Sequence, residues 1–202
     1  MHFEILLAFC LSSIVLTLSP GPDILYVITQ SITEGKKKAI LISIGLTTGL
    51  IIHTILVVSG LSFFVSENKL IFNFLKLFGA GYFFYLSIIT FLRRKKTELI
   101  PDSKKTRNYF KKGLVMNLLN PKVSLFFIAL LPSFTFHDHM NIEIQFFILG
   151  LIFWAQATVI FILVSIFSSK LKFIDSKNGI TSKKYLLEIF IYLFIAFWIL
   201  KP

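Results

Sequence analysis

The chain has 202 residues, of which 55% are hydrophobic and 24 are phenylalanine, and its mean hydropathy is +0.80. A soluble domain of this size needs more polar surface, whereas a hydrocarbon core about 30 Å thick needs about 20 apolar residues per helix. The net charge of +11 does not indicate nucleic-acid binding, because the basic residues lie almost wholly between long apolar runs. Composition therefore predicts an all-α integral membrane protein in a lipid bilayer.

Thiol and common enzyme chemistry find little support in the sequence. Cys10 is the single cysteine, which excludes an intrachain disulfide, a CxxC relay and a multi-thiol metal site. The sequence contains no HExxH, phosphate-binding glycine loop or nucleophile elbow, so we expect no enzyme, no cofactor and no bound metal. Residues 1–4 lack a basic segment and no small-residue cleavage site follows, so we interpret the first apolar run as a retained span.

Six apolar runs follow in chain order and predict six transmembrane helices. The first would extend about 46 Å as one straight helix, which is too long for a single span. It contains Ser19-Pro20-Gly21-Pro22-Asp23, and two prolines around a glycine cannot continue an ordinary helix. We therefore predict two half-helices joined by a break at membrane depth. The runs cover residues 3–33, 39–65, 70–92, 113–134, 142–169 and 185–200.

The basic residues predict the orientation of these spans. Most of the 21 lysines and arginines lie in the loops at 36–38, 93–112 and 170–184, whereas Lys69 alone lies in the two loops between. The positive-inside rule places the three basic loops in the cytoplasm. The prediction is a multi-pass protein of a bacterial inner membrane with both termini outside.

The central loop at 93–112 divides one transporter domain, residues 1–202, into half-repeats of about 1–92 and 113–202. Three spans per half require the two halves to be inverted relative to one another. The second half also opens with a broken span, at Asn117-Leu118-Leu119-Asn120-Pro121-Lys122. Paired breaks at matching positions of two inverted halves mark the binding site of many carriers.

The two breaks supply the candidate substrate-binding residues. Pro22 and Pro121 each suit the first position of a helix, with Gly21 and Asn120 as caps. The positive ends of both half-helices would then face the membrane midplane and suit a carboxylate. The alternative is that the prolines only bend the helices for packing. The candidates are Pro20, Gly21, Pro22, Asp23, Asn117, Asn120, Pro121 and Lys122.

Three titratable side chains fall within the apolar runs. Asp23 could receive a substrate ammonium, carry a coupling proton, or only cap its helix. Lys122 could pair with Asp23, bind a substrate carboxylate, or snorkel. His53 follows Gly45-x3-Gly49 on the same helix face and should point into the bundle. It is the second proton-coupling candidate beside Asp23, with a hydrogen-bonded core histidine as the alternative.

The tripeptide His137-Asp138-His139 contains three potential metal ligands. Successive residues of a short loop rarely share one metal ion, so we interpret this segment as a solvated outer loop.

Both halves resemble the LysE/RhtB family of amino-acid exporters, and the last span alone shows no family signature. The resemblance implies a six-span plasma-membrane exporter of an amino acid or close analogue, usually driven by the proton gradient. It does not identify the substrate. The motifs that resemble the family are 19–23, 35–39, Gly45-x3-Gly49-x3-His53, 60–61, Gly113, Asn117-x2-Asn120-Pro121-Lys122, 126–127 and 131–134.

Other functions stay open at this point. A carrier of a metal ion or organic cation would need a dense cluster of carboxylates, histidines or thiols within the membrane, and the spans supply little of one. A membrane-embedded enzyme would have Asp23 and His53 as its sole candidate pair, and an accessory subunit would need neither. A homodimer is compatible with a six-span unit of this size.

Overall fold

The computed structural model describes residues 2–19, 21–61 and 108–170, with single positions at 77, 80, 81, 84, 85, 87, 88, 91, 92, 193 and 197. Every regular element in this part of the chain is helical, as composition predicted. Most of the third apolar run, most of the sixth and Pro20 lie outside the described residues. The arrangement of six spans as two inverted halves therefore stays a prediction.

The first apolar run is broken where the sequence predicts it. Helix α1 covers Phe3–Leu18 and helix α2 covers Pro22–Glu34, and the two axes are bent by 54°. Ser19 and Gly21 on either side of the break are extended, and Pro22 occupies the first turn of α2. The proline ring fixes the backbone angle that a new helix needs and lacks an N–H that would otherwise be unsatisfied there.

Gly35 alone joins α2 to helix α3, which covers Lys36–Leu56 and continues as a π-helical turn over Val57–Leu61. Gly35 has a φ of +89°, a backbone conformation that only glycine adopts without strain. The helix therefore begins before the apolar run at residue 39, since the lysines at 36–38 form its first turn.

The second broken span consists of helix α4, Tyr109–Leu118, and helix α5, Pro121–Leu125. The helical path continues from α5 through a π turn at Phe126–Leu130 and a 3-10 turn at Leu131–Phe134. The axes on the two sides of the break are bent by 48°. Helix α4 begins before the apolar run at residue 113 because the side chain of Asn108 caps it by accepting from Lys111 N.

Helix α6 covers Ile142–Ser169, with the same ends as the fifth apolar run. The loop before it is ordered by the buried side chain of Gln145. Its Oε1 accepts from the backbone N–H groups of Phe136 and His137, and its Nε2 donates to the carbonyls of His137 and Met140. One amide thus satisfies four backbone groups of this loop.

Glycines allow α3 and α4 to pack backbone against backbone. A Cβ on Gly45 would collide with Phe110 O and lie 2.9 Å from Leu114 N. A Cβ on Gly113 would collide in turn with the carbonyl of Ile42. The spacing Gly45-x3-Gly49, a pattern that permits close helix approach, thus brings α3 against the first half of the second broken span.

The described helices have the length and surface of membrane spans. Helix α3 with its π turn and helix α6 are each long and apolar enough to cross a bilayer. The two bent pairs also meet the same criteria when each pair counts as one span. Large apolar side chains face outward along α1 and α6, including Leu7, Leu11, Val159 and Phe167. The described segments thus provide two to four spans.

Candidate functional site

The two helix breaks meet through Lys122 and Ser19. The ammonium of Lys122, near the start of α5, donates to the backbone carbonyl of Ser19 at 3.1 Å and to its hydroxyl at 3.4 Å. The lysine is only 5% exposed, so it does not snorkel to a membrane surface. This contact joins residues 103 positions apart and places the break before α2 next to the break before α5.

Asp23 and Lys122 approach the same point above Gly21. A Cβ built on Gly21 would lie 2.8 Å from Asp23 Oδ1 and 3.4 Å from Lys122 Nζ. A carboxylate and an ammonium therefore converge on the space that the glycine leaves open. Opposite charges attract one another more strongly in a buried site than in water.

One carboxylate oxygen of Asp23 has no hydrogen-bond partner among the described residues. The residue is 3% exposed, and its Oδ1 bonds to no group in the described ranges. Asp23 occupies the first turn of α2, where the helix dipole favours a negative charge. The capping interpretation does not account for Oδ1.

Asn120 and Pro121 begin α5 as the sequence predicts. The Oδ1 of Asn120 accepts from Lys122 N at 3.1 Å, which is the bond of an N-cap, and Pro121 occupies the first turn. The cap fixes the start of the helix and thereby the direction of the Lys122 side chain. The Nδ2 of Asn120 is buried and has no partner in the described part of the chain.

The side chain of Asn117 packs against α3 at Gly49, in the space that the glycine leaves open. A Cβ on Gly49 would overlap the Asn117 Oδ1 and lie 2.8 Å from its Cβ and Cγ. The Asn117 side chain is buried, and its Oδ1 bonds to no described residue. Gly49 therefore serves the site in addition to helix packing, which the Gly45-x3-Gly49 spacing did not reveal.

His53 points into the bundle, as predicted. Its ring stacks on Phe127 with centroids 5.5 Å apart and an interplanar angle of 23°, and it lies against the backbone of Asn117. Phe127 stacks in turn on Phe153, with centroids 5.5 Å apart. The Nε2 of His53 is buried without a described partner. The interpretation as a satisfied core histidine does not account for this nitrogen.

Sequence reasoning did not identify Ser19 and Phe127 as site residues. Ser19 belongs to the motif before Asp23, but nothing local indicates that its carbonyl accepts from the other half. Phe127 is one of 24 phenylalanines in an apolar chain. Its distinguishing feature is the ring stack with His53, which only the fold produces.

The loop before α6 does not gather metal ligands. His139 N donates to His137 Nδ1, and Asp138 contacts His2 at 3.3 Å. The hydrogen bond from His2 is the main reason that the pKa of the Asp138 carboxyl lies below its ordinary value of 3.8. Over residues 2–19, 21–61 and 108–170, no three His, Cys, Asp or Glu side chains are grouped to hold a metal ion.

An apolar helical body that encloses a buried charged site between two helix breaks is the arrangement of a membrane carrier. Residues 14–199 match the model of the LysE type translocator family. The chain therefore belongs to this family, and the resemblance noted from its motifs is confirmed.

Two similar proteins are homoserine/homoserine lactone efflux proteins. The one from Salmonella typhimurium is 36% identical over 152 residues, which are 74% of this chain and 73% of the relative. The one from Salmonella typhi is 35% identical over the same shares of the two chains. An uncharacterized membrane protein from Vibrio cholerae is 30% identical over 75% of this chain and 74% of its own. No solved structure matches the chain.

Proposed function

We propose that this protein exports an amino acid or a close analogue from the cytoplasm of a bacterium across its inner membrane. Membership of the LysE type translocator family supports export. The efflux proteins that resemble this chain make homoserine, which has the free carboxylate and ammonium of a zwitterion, the first substrate to test. The observation that carries the proposal is the contact between Lys122 and Ser19, which brings the two helix breaks together.

The charged groups at the breaks match the two charges of a zwitterionic amino acid. The substrate carboxylate would bind the ammonium of Lys122 and the free N–H groups at the starts of α2 and α5. The substrate ammonium would bind the open Oδ1 of Asp23. Each charge in the buried site would then have a partner, which offsets the cost of removing it from water.

Transport would follow from movement of one half against the other around this fixed site. The proposed topology has six spans, both termini outside and the basic loops in the cytoplasm. We assign proton coupling to Asp23 in preference to His53. Asp23 lies where the breaks meet, so a proton and a substrate ammonium would compete for the same carboxylate.

The alternatives from the sequence have less support. A metal or organic cation would be repelled by the buried ammonium of Lys122. The efflux relatives favour transport over a membrane-embedded enzyme. A homodimer is compatible with the proposal and is not required by it, and no nucleic acid takes part.

The test is efflux of labelled homoserine from vesicles that contain the purified protein, with and without an imposed pH gradient. Asp23→Asn and Lys122→Met should each slow export more than about tenfold, because each leaves an uncompensated charge in a buried site. Residual export by Asp23→Asn should no longer respond to the gradient. Lys111→Gln is the control, since this exposed lysine lies on α4 outside the site.

Two results would overturn the proposal. Wild-type vesicles that release no amino acid at all would remove the export function. Asp23→Asn vesicles that export at the wild-type rate with the same gradient response would remove Asp23 from binding and coupling.

A further inference from the structure

Helix α1 and residues 121–136 run side by side in opposite directions. At the end near the helix breaks, Lys122 donates to the carbonyl of Ser19, just after α1. At the other end, the backbone N–H of His2 donates to the carbonyl of Phe136 at 2.8 Å. These two contacts lie about 25 Å apart along α1. The two segments are therefore joined at both ends.

Aromatic side chains join the same two segments between their ends. The ring of Phe9 packs edge-on against Phe134 with centroids 5.4 Å apart, and it lies 6.1 Å from the ring of Phe126. All three side chains are fully buried. One segment comes from each predicted half, and a helix break separates each from the helix next to it. We call α1 and residues 121–136 the paired segments.

The other described helices are held to one another by closer contacts. Helices α3 and α4 pack backbone against backbone at Gly45 and Gly113. The hydroxyl of Ser31 on α2 donates to the carbonyl of Ser165 on α6, and the hydroxyl of Ser43 on α3 lies 3.0 Å from that of Ser165. We call α2, α3, α4 and α6 the frame. Because α3 and α4 come from different halves, their backbone contact resists movement of one whole half against the other.

Side chains provide the contacts between the paired segments and the frame near the breaks. The hydroxyl of Ser13 on α1 donates to Oε1 of the half-buried Gln156 on α6. The ring of Phe126 packs against that of Phe153 on α6, with centroids 4.9 Å apart. Side chains can change rotamer or slide past one another without moving the backbone of the frame. The paired segments can therefore move at this end.

The opposite end of the paired segments is anchored. The backbone N–H of Phe136 donates to Oε1 of Gln145 on α6 at 2.8 Å. The movable end contains Lys122, whereas Asp23 belongs to α2 in the frame. Their charged groups converge on Gly21. Tilting of the paired segments about the Phe136 end would therefore change the distance between the ammonium and the carboxylate.

We propose that the paired segments act as a gate, which tilts about Phe136, bends at the two helix breaks and moves Lys122 relative to Asp23. This inference rests on the proposed function and narrows the movement between the halves to one segment from each. A zwitterion that binds Lys122 through its carboxylate and Asp23 through its ammonium links the gate to the frame. Substrate binding thus favours the closed gate.

The experiment cross-links pairs of introduced cysteines in vesicles and measures efflux of labelled homoserine. Cys10→Ala removes the single native thiol from every variant. Ser13→Cys with Gln156→Cys, joined by a short bifunctional methanethiosulfonate, ties the gate to the frame. We expect the cross-link to slow export by about tenfold or more, because a gate that cannot open limits turnover. Reduction with dithiothreitol should restore the rate.

Two control pairs should export at the same rate before and after cross-linking. His2→Cys with Asp138→Cys, joined by the same reagent, lies at the anchored end, where His2 Nε2 and Asp138 Oδ2 are 3.3 Å apart. Ser43→Cys with Ser165→Cys, joined as a disulfide, lies within the frame.

The outcomes separate the gate from the proposed function. Unchanged export after complete cross-linking of Ser13→Cys with Gln156→Cys would overturn the gate and leave export standing. Loss of export in either cross-linked control pair would overturn the division into gate and frame. A wild type that releases no amino acid would overturn the proposed function itself. If thermal unfolding shows that the first pair does not fold, Phe126→Cys with Phe153→Cys tests the same interface.

Discussion

The side chain of Asn117 occupies the space where Gly49 lacks a side chain: a Cβ on Gly49 would lie 2.8 Å from the Cγ of Asn117 and overlap its Oδ1. The contact locks α3 to the end of α4, next to the break at Asn120. Helix packing and the geometry of the site therefore depend on the same pair of residues.

Gly49→Ala should destabilise the protein by about 1–3 kcal/mol, because an added methyl in a filled core forces side chains off their preferred rotamers. Thermal unfolding in detergent measures this. Gly60→Ala is the matched control on the π turn that extends α3, since no atom of the described residues lies within 4 Å of a Cβ there. Equal melting temperatures for the two variants would contradict the prediction.

Gly113→Ala should be more damaging than Gly49→Ala. The added Cβ would collide with the carbonyl of Ile42 and lie 3.0 Å from Leu46 N, and both are backbone atoms of α3. A backbone cannot move aside as a side chain can, so α3 and α4 must separate. We expect a loss of monodisperse protein on size exclusion. A variant that elutes and melts like the wild type would show that the helices tolerate the separation.

Gly21→Ala should preserve the fold and impair transport. Its Cβ would meet Asp23 Oδ1 at 2.8 Å and Lys122 Nζ at 3.4 Å, which are the ends of flexible side chains. These ends can move by rotation at little cost in stability, but the charged groups would then no longer converge. Efflux assays should show a loss of about tenfold or more in rate with little change in melting temperature. A parallel loss of stability and transport would argue against a role specific to the site.

Gln145→Leu should disorder the loop before α6. The substitution leaves two backbone N–H groups and two carbonyls without their partner, at about 1–3 kcal/mol for each group that water does not reach. Hydrogen exchange at residues 135–141 should rise well before global unfolding. Gln145→Glu keeps the acceptor and should be milder at Phe136 N. Unchanged exchange in Gln145→Leu would contradict the prediction.

The contact between Asp138 and His2 should make a pH-dependent contribution to stability. Its pKa lies below the ordinary 3.8, chiefly because His2 donates to it, so the folded state favours the ionised form. The contribution of this hydrogen bond to stability is present above the ordinary pKa and is lost as the pH falls through the lowered pKa. His2→Gln should shift the pKa of Asp138 upward in a carboxyl NMR titration, whereas Glu143→Gln should not. An unchanged Asp138 titration in His2→Gln would exclude the contact.

Local features of the fold were predictable because local chemistry determines them. Pro22 and Pro121 remove a donor and fix φ, so each break follows from its own few residues. Helix α6 has the ends of its apolar run, which is bounded by the polar residues Asn141 and Lys170. The positions of the third and sixth runs relative to these helices stay predictions.

The sequence predicted only in part which residues of the candidate site lie close together. The matching breaks indicated that Asp23 and Lys122 belong together, but no local rule indicates that Lys122 donates to Ser19 across 103 positions. The stack of His53 on Phe127 depends likewise on how α3 packs against the helix after Pro121. Periodicity predicts which face of a helix is buried and does not identify the partner.

The joint at Gly35 limits how the first half can move. One residue joins α2 to α3, and Glu34 forms an ion pair with Lys38 across this connection. The connection is therefore too short for either helix to slide along the other. A change in tilt of α2 must therefore be carried by α3 beyond Gly35 or absorbed before Pro22 at the other end. The degree of freedom in this half thus lies beside Asp23, and under the proposed function bending there would change which side of the membrane its carboxylate faces.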